Sequence, residues 1–183
     1  DVVLLQKDLN VLEQGVMEGR KTFTNMLKYI KITASSNFGN IFSIICASAF
    51  LPFLPMTSIQ ILLLNLLYDT LCIVLPWDNV DEEEMLSPRD WSGKTLRQFM
   101  LSFGPISSLF DIVTFLFLYY FLCPMLCGGA TYLQLTDPSL QLQYVALFQT
   151  GWFLESMWTQ VLILHFLRTS KIPFFQSRAS APV

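Results

Sequence analysis

The sequence predicts an all-α polytopic membrane protein with four transmembrane helices, a stalk helix on the cytoplasmic side and a short N-terminal strand. Three observations carry that expectation. Hydrophobic residues make up 53% of the 183-residue chain and charged residues only 14%, against about 25% charge in an average soluble domain. Four apolar stretches reach the length of a bilayer crossing. All eleven Lys and Arg fall in alternate connections between those stretches.

Composition also excludes some classes. Sixteen Phe, four Trp and six Tyr are too many for a disordered chain. A net charge of −3 does not fit a nucleic-acid partner, which calls for a strongly basic patch. The partner that the composition asks for is a lipid bilayer. The chain starts at Asp1 without Met and stops at Val183, so it is expected to be a piece of something longer.

A spanning helix needs about 20 mostly apolar residues. The first stretch runs from Ile32 to Leu54, closing at Pro52 and Pro55. The second is Ile59 to Pro76. The third is Phe99 to Leu122, interrupted near its start by Gly104-Pro105, and the fourth is Tyr144 to Leu167. Lys7, Arg20, Lys21, Lys28 and Lys31 precede the first; Arg89, Lys94 and Arg97 separate the second from the third; Arg168, Lys171 and Arg178 follow the fourth. Because Lys and Arg are retained on the cytoplasmic side, both ends and the middle loop are expected there. Ahead of the first span, Val2-Val3-Leu4-Leu5 is strand-like. Leu12, Val16, Phe23, Leu27 and Ile30 then lie on one helical face, although Gly15 and Gly19 weaken that helix. From Thr22 it is expected to run straight into the first span. No signal peptide is visible.

Three acids lie inside apolar stretches: Asp69, Asp111 and Glu155. Each costs roughly 2.5–3.5 kcal/mol at a helix centre, and no Lys or Arg lies within the spans to offset it. Their counter-charge is a proton or an imported cation. Thr33, Ser36, Asn37, Asn40 and Ser43 recur at helical spacing on the first span. Asn65 and Asp69 share a face of the second, and Glu155 and Thr159 one of the fourth, with Gln160 beside them. Carboxamide, hydroxyl and carboxylate oxygens suit a hard cation such as Mg²⁺ or Ca²⁺. The bland reading is that such stripes glue membrane helices together. It weighs equally for Ser36 and Ser43, and Asp111 is as well explained by structural hydrogen bonds.

At these residues a family resemblance enters. Ser35-Ser36-Asn37-Phe38-Gly39-Asn40 resembles the S-S-N-x-G segment on helix five of the P-type cation ATPases. Leu64-Asn65-Leu66-Leu67-Tyr68-Asp69 resembles their helix-six N-L-x-x-D core. Asp1-Val2-Val3-Leu4-Leu5, Glu18-Gly19-Arg20 and Asn25-Met26 resemble the end of the phosphorylation domain and the stalk. Phe50-Leu51-Pro52-Phe53-Leu54-Pro55-Met56, Pro76-Trp77-Asp78-Asn79-Val80-Asp81 and Gln149-Thr150-Gly151-Trp152-Phe153 look most similar to the bacterial magnesium-transporting members. The resemblance implies residues 1–21 from an α/β phosphorylation domain, a stalk and first span over 22–54, and a second span over 59–76. It further implies a cytoplasmic loop over 77–98, a third span over 99–122, an extracytoplasmic loop over 123–143, a fourth span over 144–167 and a cytoplasmic tail over 168–183. It implies a bacterial inner-membrane pump that transports Mg²⁺ at the expense of ATP, with ATP bound outside this segment and the rest of the pump as partner. Ligands would be Asn37, Asn40, Asn65, Asp69 and Glu155, supported by Ser36, Tyr68, Asp111 and Thr159.

Calcium pumps of the family carry Glu where Asn40 stands and Thr where Tyr68 stands, so the resemblance favours one partly hydrated Mg²⁺ over two Ca²⁺. The segment holds no Asp-Lys-Thr-Gly phosphorylation sequence and by itself should not hydrolyse ATP. The rivals are a pump for calcium or another cation, a non-enzymatic four-helix channel or secondary transporter, and a structural anchor.

Other signals carry less. The acidic run Asp81-Glu82-Glu83-Glu84, with Asp78 and Asp90, reads as a solvated loop balancing Arg89, Lys94 and Arg97. Cys46 and Cys72 read as packing residues. Cys123 and Cys127 are four apart, which is not a disulfide signature, and the lone His165 makes no zinc site. The orientation has a direct test in the full-length protein. In a cysteine-free background, a cysteine at Gly129 should react with an impermeant maleimide in intact cells, and one at Thr95 only after permeabilisation. The opposite pattern would overturn the assignment of sides.

Overall fold

The computed structural model describes residues 8–88, 90–169 and 171–180. The strand-like Val2–Leu5 lies outside the described residues, and among them the only β pairing is an isolated bridge between Pro173 and Ser177. The architecture is helical: α1 Leu9–Ser48, α2 Ser58–Cys72, α3 Glu82–Met85, α4 Gly93–Phe117, α5 Cys123–Leu126 and α6 Pro138–Leu167.

α1 is 40 residues long, or roughly 60 Å at the helical rise. Asp8 caps it by accepting from the Asn10 amide at 2.9 Å. The helix passes through Gly15 and Gly19 unbroken, and from Thr22 it runs on without a joint as far as Ser48. It stops there rather than at Leu54, because Pro52 biases the residue before it away from helix. α2 opens on a capping box between Thr57 and Gln60 and ends at Cys72, followed by a 3₁₀ turn at Leu75–Trp77.

Among the described residues two segments, Ser58–Trp77 and Gly93–Leu126, are long and apolar enough to cross a membrane, each with a mean hydropathy of 1.9. α1 and α6 are longer than α2, but polar residues such as Asn37 and Asn40 in one and Glu155 and Gln160 in the other dilute their hydropathy.

The most extensive helix pair is α1 on α4. Ile32, Ser35, Gly39, Ser43 and Ala47 form the buried line of α1. Of these, Gly39, Ser43 and Ala47 meet Gly104, Ser108, Asp111 and Phe115 on α4. Small residues at four-residue steps let the two backbones close in. A Cβ on Gly104 would fall 2.4 Å from the Phe38 ring, and one on Gly39 only 3.6 Å from the Gly104 carbonyl. Ser108 Oγ donates to the carbonyls of Gly39 at 3.1 Å and Gly104 at 3.0 Å. The interruption expected at Gly104-Pro105 does not occur: Pro105 sits inside an unbroken α4. Its ring removes one intrahelical donor, and the packing of the neighbouring glycine against α1 holds the helix across the gap.

α4 continues into a π-helical turn at Leu118–Leu122 and then α5. A π turn disturbs the regular carbonyl ladder, and the Tyr144 hydroxyl of α6 donates to the Tyr119 carbonyl within it. Gly151 admits Leu118 beside α6, since a Cβ there would lie 2.7 Å from its Cδ2. At this end of the bundle Phe53 packs on Tyr132 and Phe148 with ring centroids 4.9 and 5.2 Å apart. Cys123 and Cys127 are free and buried here.

The opposite end is held by charge. Asp78 has no exposed surface and takes two bonds from the Arg168 guanidinium, at 2.9 and 3.0 Å. Lys28 lies 3.5 Å from the same carboxylate and donates to the Asn79 carbonyl at 3.1 Å. Burial pushes the Lys28 ammonium below its ordinary pKa, against the pull of Asp78 and Glu84. Asn25 donates to the carbonyls of Pro76 and Asp78, and Arg168 also donates to those of Ser177 and Arg178. The acidic loop is therefore solvated only in part: Glu82, Glu83 and Asp90 are exposed, whereas Asp78 is buried. Its partners come from α1 and from the residues after α6: Thr169 donates to Asp81 at 2.6 Å, and Lys171 pairs with Glu83 at 3.1 Å.

Replacing Asp78 by Ala strands Arg168 and Lys28 in a dry site, a loss expected to cost about 3–5 kcal/mol. Thermal unfolding of the purified full-length protein should show a clear fall in midpoint for Asp78→Ala and little change for the exposed Asp90→Ala. Equal midpoints would mean that the buried cluster does not hold this end together.

Candidate cation site

Midway along the bundle three helices meet at Asp111. The side chain is only 5% exposed. Ser43 Oγ of α1 donates to its Oδ2 at 2.5 Å, and the Trp152 indole of α6 donates to its Oδ1 at 2.9 Å. Both donors are neutral, so the carboxyl is hydrogen-bonded without a counter-charge. Glu155 of α6 interacts with Asp111 directly, and its Oε2 is buried with no hydrogen-bond partner. The two carboxyls form a pair, and it faces Ser43 and Trp152 rather than any Lys or Arg.

The other expected residues are placed as follows. Asn37 and Asp69 are exposed, and Asn40 and Asn65 half-buried. Among the described residues no hydrogen bond joins Asn37, Asn40, Asn65 and Asp69 to one another, and no group of three or more His, Cys, Asp or Glu converges as a metal centre would. Ser36 and Thr159 both line a largely apolar cavity of about 380 Å³, together with Phe103, Ile106 and Phe110. The Thr159 hydroxyl is committed to its own helix, donating to the Glu155 and Ser156 carbonyls at 3.0 and 3.2 Å. Ser43, grouped by spacing with Asn37 and Asn40, belongs to the α4-facing line and is bound to Asp111.

A second set of polar atoms adds Ser156 to residues already noted in the sequence, Asn40, Tyr68 and Gln160. Tyr68 Oη, Asn40 Nδ2, Ser156 Oγ and Gln160 Nε2 are all buried without a hydrogen-bond partner. Tyr68, Ser156 and Gln160 are 3%, 2% and 6% exposed. Buried polar groups are nearly always satisfied, so this concentration of open valences on α1, α2 and α6 marks where a polar guest is chemically welcome. The available signal was the four-residue repeat Trp152, Ser156, Gln160 on α6. Ser156 was passed over because a lone serine in an apolar helix carries little weight by itself. The Trp152–Asp111 bond had no signal in spacing at all.

Comparison with known proteins agrees with the motifs. Residues 53–182 match the family model described as cation transporting ATPase, C-terminus. Over all 183 residues the chain is 49% identical to "Magnesium-transporting ATPase, P-type 1" of Salmonella typhimurium strain LT2 and 50% identical to the protein of the same name from Escherichia coli K12. It covers 18% and 19% of those two proteins. A more distant relative, "P-type sodium-transporting ATPase4" of Toxoplasma gondii, is 30% identical over 102 residues, which are 50% of this chain and 8% of that protein. The chain belongs to the cation-transporting P-type ATPase family.

Proposed function

We propose that this chain is the cation-binding membrane segment of an ATP-driven Mg²⁺ transporter, crossing a bacterial inner membrane four times by α1, α2, α4 with its π turn, and α6. The observation that carries the reading is the conjunction of full-length half-identity to magnesium-transporting P-type ATPases with acids set into apolar helices that hold no base. ATP binding and aspartyl-phosphate formation would reside in other parts of the pump, since the relatives are several times longer than this chain. Asn37, Asn40, Asn65, Asp69 and Glu155 are the proposed oxygen ligands, with Ser36, Tyr68, Asp111 and Thr159 in support. The exposed positions of Asn37 and Asp69 suit a site whose remaining walls come from the rest of the pump.

A mechanism follows from the shape of α1. One uninterrupted helix joins Asn25 and Lys28, anchored in the charged cluster, to Asn37 and Asn40 in the proposed ligand line. Displacement of its N-terminal half by a phosphorylation domain would be carried to the ligands because α1 is continuous from Leu9 to Ser48 and holds no Pro or π turn. The amide side chains would then exchange one set of partners for another, opening the site to alternate sides. The neutral amide at Asn40 keeps the charge of the site low. That favours an ion such as Mg²⁺, which retains part of its water and needs few carboxylates.

Two measurements on the full-length protein test this reading. Asp69→Asn should abolish Mg²⁺-dependent growth of a transport-deficient strain and lower cation-stimulated ATPase at least 10-fold while leaving expression unchanged; wild-type growth and ATPase would remove Asp69 from the site. Insertion of Gly-Gly between Tyr29 and Ile30 should uncouple the pump, so that phosphorylation from ATP persists and transport is lost. Intact transport in that variant would show that coupling does not run through α1.

A further inference from the structure

We propose that Tyr68, Ser156 and Gln160 form a water-holding wall that binds the hydration shell of the transported cation, and so select for an ion that keeps its water. This rests on the reading of the chain as part of a Mg²⁺ transporter and adds to it residues that touch the ion's water rather than the ion.

The starting observation is three polar side chains, all more than nine-tenths buried and each with an atom lacking a hydrogen-bond partner. Their register places them along one seam. Tyr68 of α2 packs in one cluster with Ile32 of α1 and Leu164 of α6. One turn along α6 from Leu164, on the same buried face, is Gln160, and the next is Ser156. One turn along α1 from Ile32, in the matching direction, is Ser36, which together with Cys72 faces the Tyr68 hydroxyl. The turn after that is Asn40, whose Nδ2 is also buried and open. Side chains on a helix lean toward its N-terminus, which tips the Tyr68 hydroxyl toward the level of Gln160. The seam thus lies alongside Glu155, which neighbours Ser156, and behind the Asn40 amide.

The chemistry of this wall differs from that of a ligand set. A phenol, a primary alcohol and a carboxamide nitrogen are neutral, and the open atom of Gln160 is a donor, which cannot ligate a cation. What it can do is donate to a carboxylate, or to the oxygen of a water one shell further out. The hydroxyls of Tyr68 and Ser156 can accept a hydrogen bond from water, whose hydrogens point away from a bound cation. Mg²⁺ dehydrates reluctantly and keeps several waters in protein sites, so a wall of this kind is worth most to Mg²⁺ and less to ions that shed water easily. Partners one shell out from a metal typically tune its affinity about 10- to 100-fold.

The experiment uses the purified full-length pump with Mn²⁺ alone as a paramagnetic stand-in for Mg²⁺. Electron spin-echo measurements in D₂O count the waters on the bound ion, and displacement of Mn²⁺ by MgCl₂ gives the relative Mg²⁺ affinity. In the wild-type protein Mn²⁺ should retain coordinated water. Gln160→Leu and Ser156→Ala should lower the water count and weaken Mg²⁺ about 10-fold relative to Mn²⁺, while Ser156→Thr, which keeps the hydroxyl, should restore both. Unchanged water count and unchanged selectivity in the Leu and Ala variants would overturn the proposal, as would an equal loss for both ions, which signals a structural role. Asp69→Asn separates the two levels: if it leaves Mn²⁺ binding intact, the ligand assignment itself fails; if it abolishes binding while Gln160→Leu and Ser156→Ala do nothing, only the water-holding wall fails.

Discussion

A carboxylate with no solvent contact governs how this chain can fold. Asp78 is removed from water in a turn between two helices, and burying an ion of that kind costs several kcal/mol unless it is paired and hydrogen-bonded. Its partners are far away in sequence: Lys28 on α1 and Arg168 beyond α6. Satisfying one side chain therefore requires three segments of the chain to arrive together. The geometry is strict as well as strong, because a guanidinium offers its donors in a fixed planar fork. Once Arg168 is docked on Asp78, the ends of α2 and α6 are held side by side, and Asn25 and Lys28 draw α1 against them. The small-residue line of α1 is then presented to α4 at a fixed level.

Deeper in the bundle the same problem is solved in another way. Asp111 is as inaccessible as many core residues, yet its donors are a serine and an indole rather than bases. Ion pairing is used where the chain can draw on Lys and Arg, and neutral hydrogen bonding where it cannot. The consequence is an asymmetric molecule: one end welded by charge, the other packed with aromatic rings around Phe53, and a middle in which carboxyls, amides and hydroxyls keep unspent hydrogen-bonding capacity. Rigid ends with an adaptable middle suit a device that binds and releases a small ion.

The helical elements were legible because they follow from local rules: apolar length for α2 and α4, and uninterrupted spacing from Thr22 onward in α1. Pro105 misled because proline reports a lost donor and not the packing that compensates for it. The buried charges were illegible for a related reason. Asp78 sits in a run of acids that looks solvated, and only three-dimensional proximity to Arg168 and Lys28 shows that it is not. Among the site residues, Asp111 and Glu155 stood out as acids in apolar surroundings and do meet. Ser156 and Trp152 did not stand out, because the value of a serine or an indole depends on what faces it across the bundle. Ser43 was placed on the wrong line of α1, since residues 39, 40 and 43 can be joined by three- or four-residue steps and sequence does not say which line meets a neighbour.

The close crossing of α1 and α4 at Gly39 and Gly104 would serve as a fulcrum if the far end of α1 were displaced. About 45 Å of helix extends from Gly39 back to Leu9, and only about 12 Å forward to Ala47. With the long arm nearly four times the short one, a tilt of about 5° about the crossing swings Leu9 through about 4 Å but moves Ala47 by about 1 Å. The helix is geared down: broad, imprecise motion at its far end becomes a sub-ångström adjustment at Asn40, a single residue from the pivot. A side chain so close to the axis of rotation is turned more than it is carried. For an amide whose bonding depends on direction, turning is the more consequential of the two.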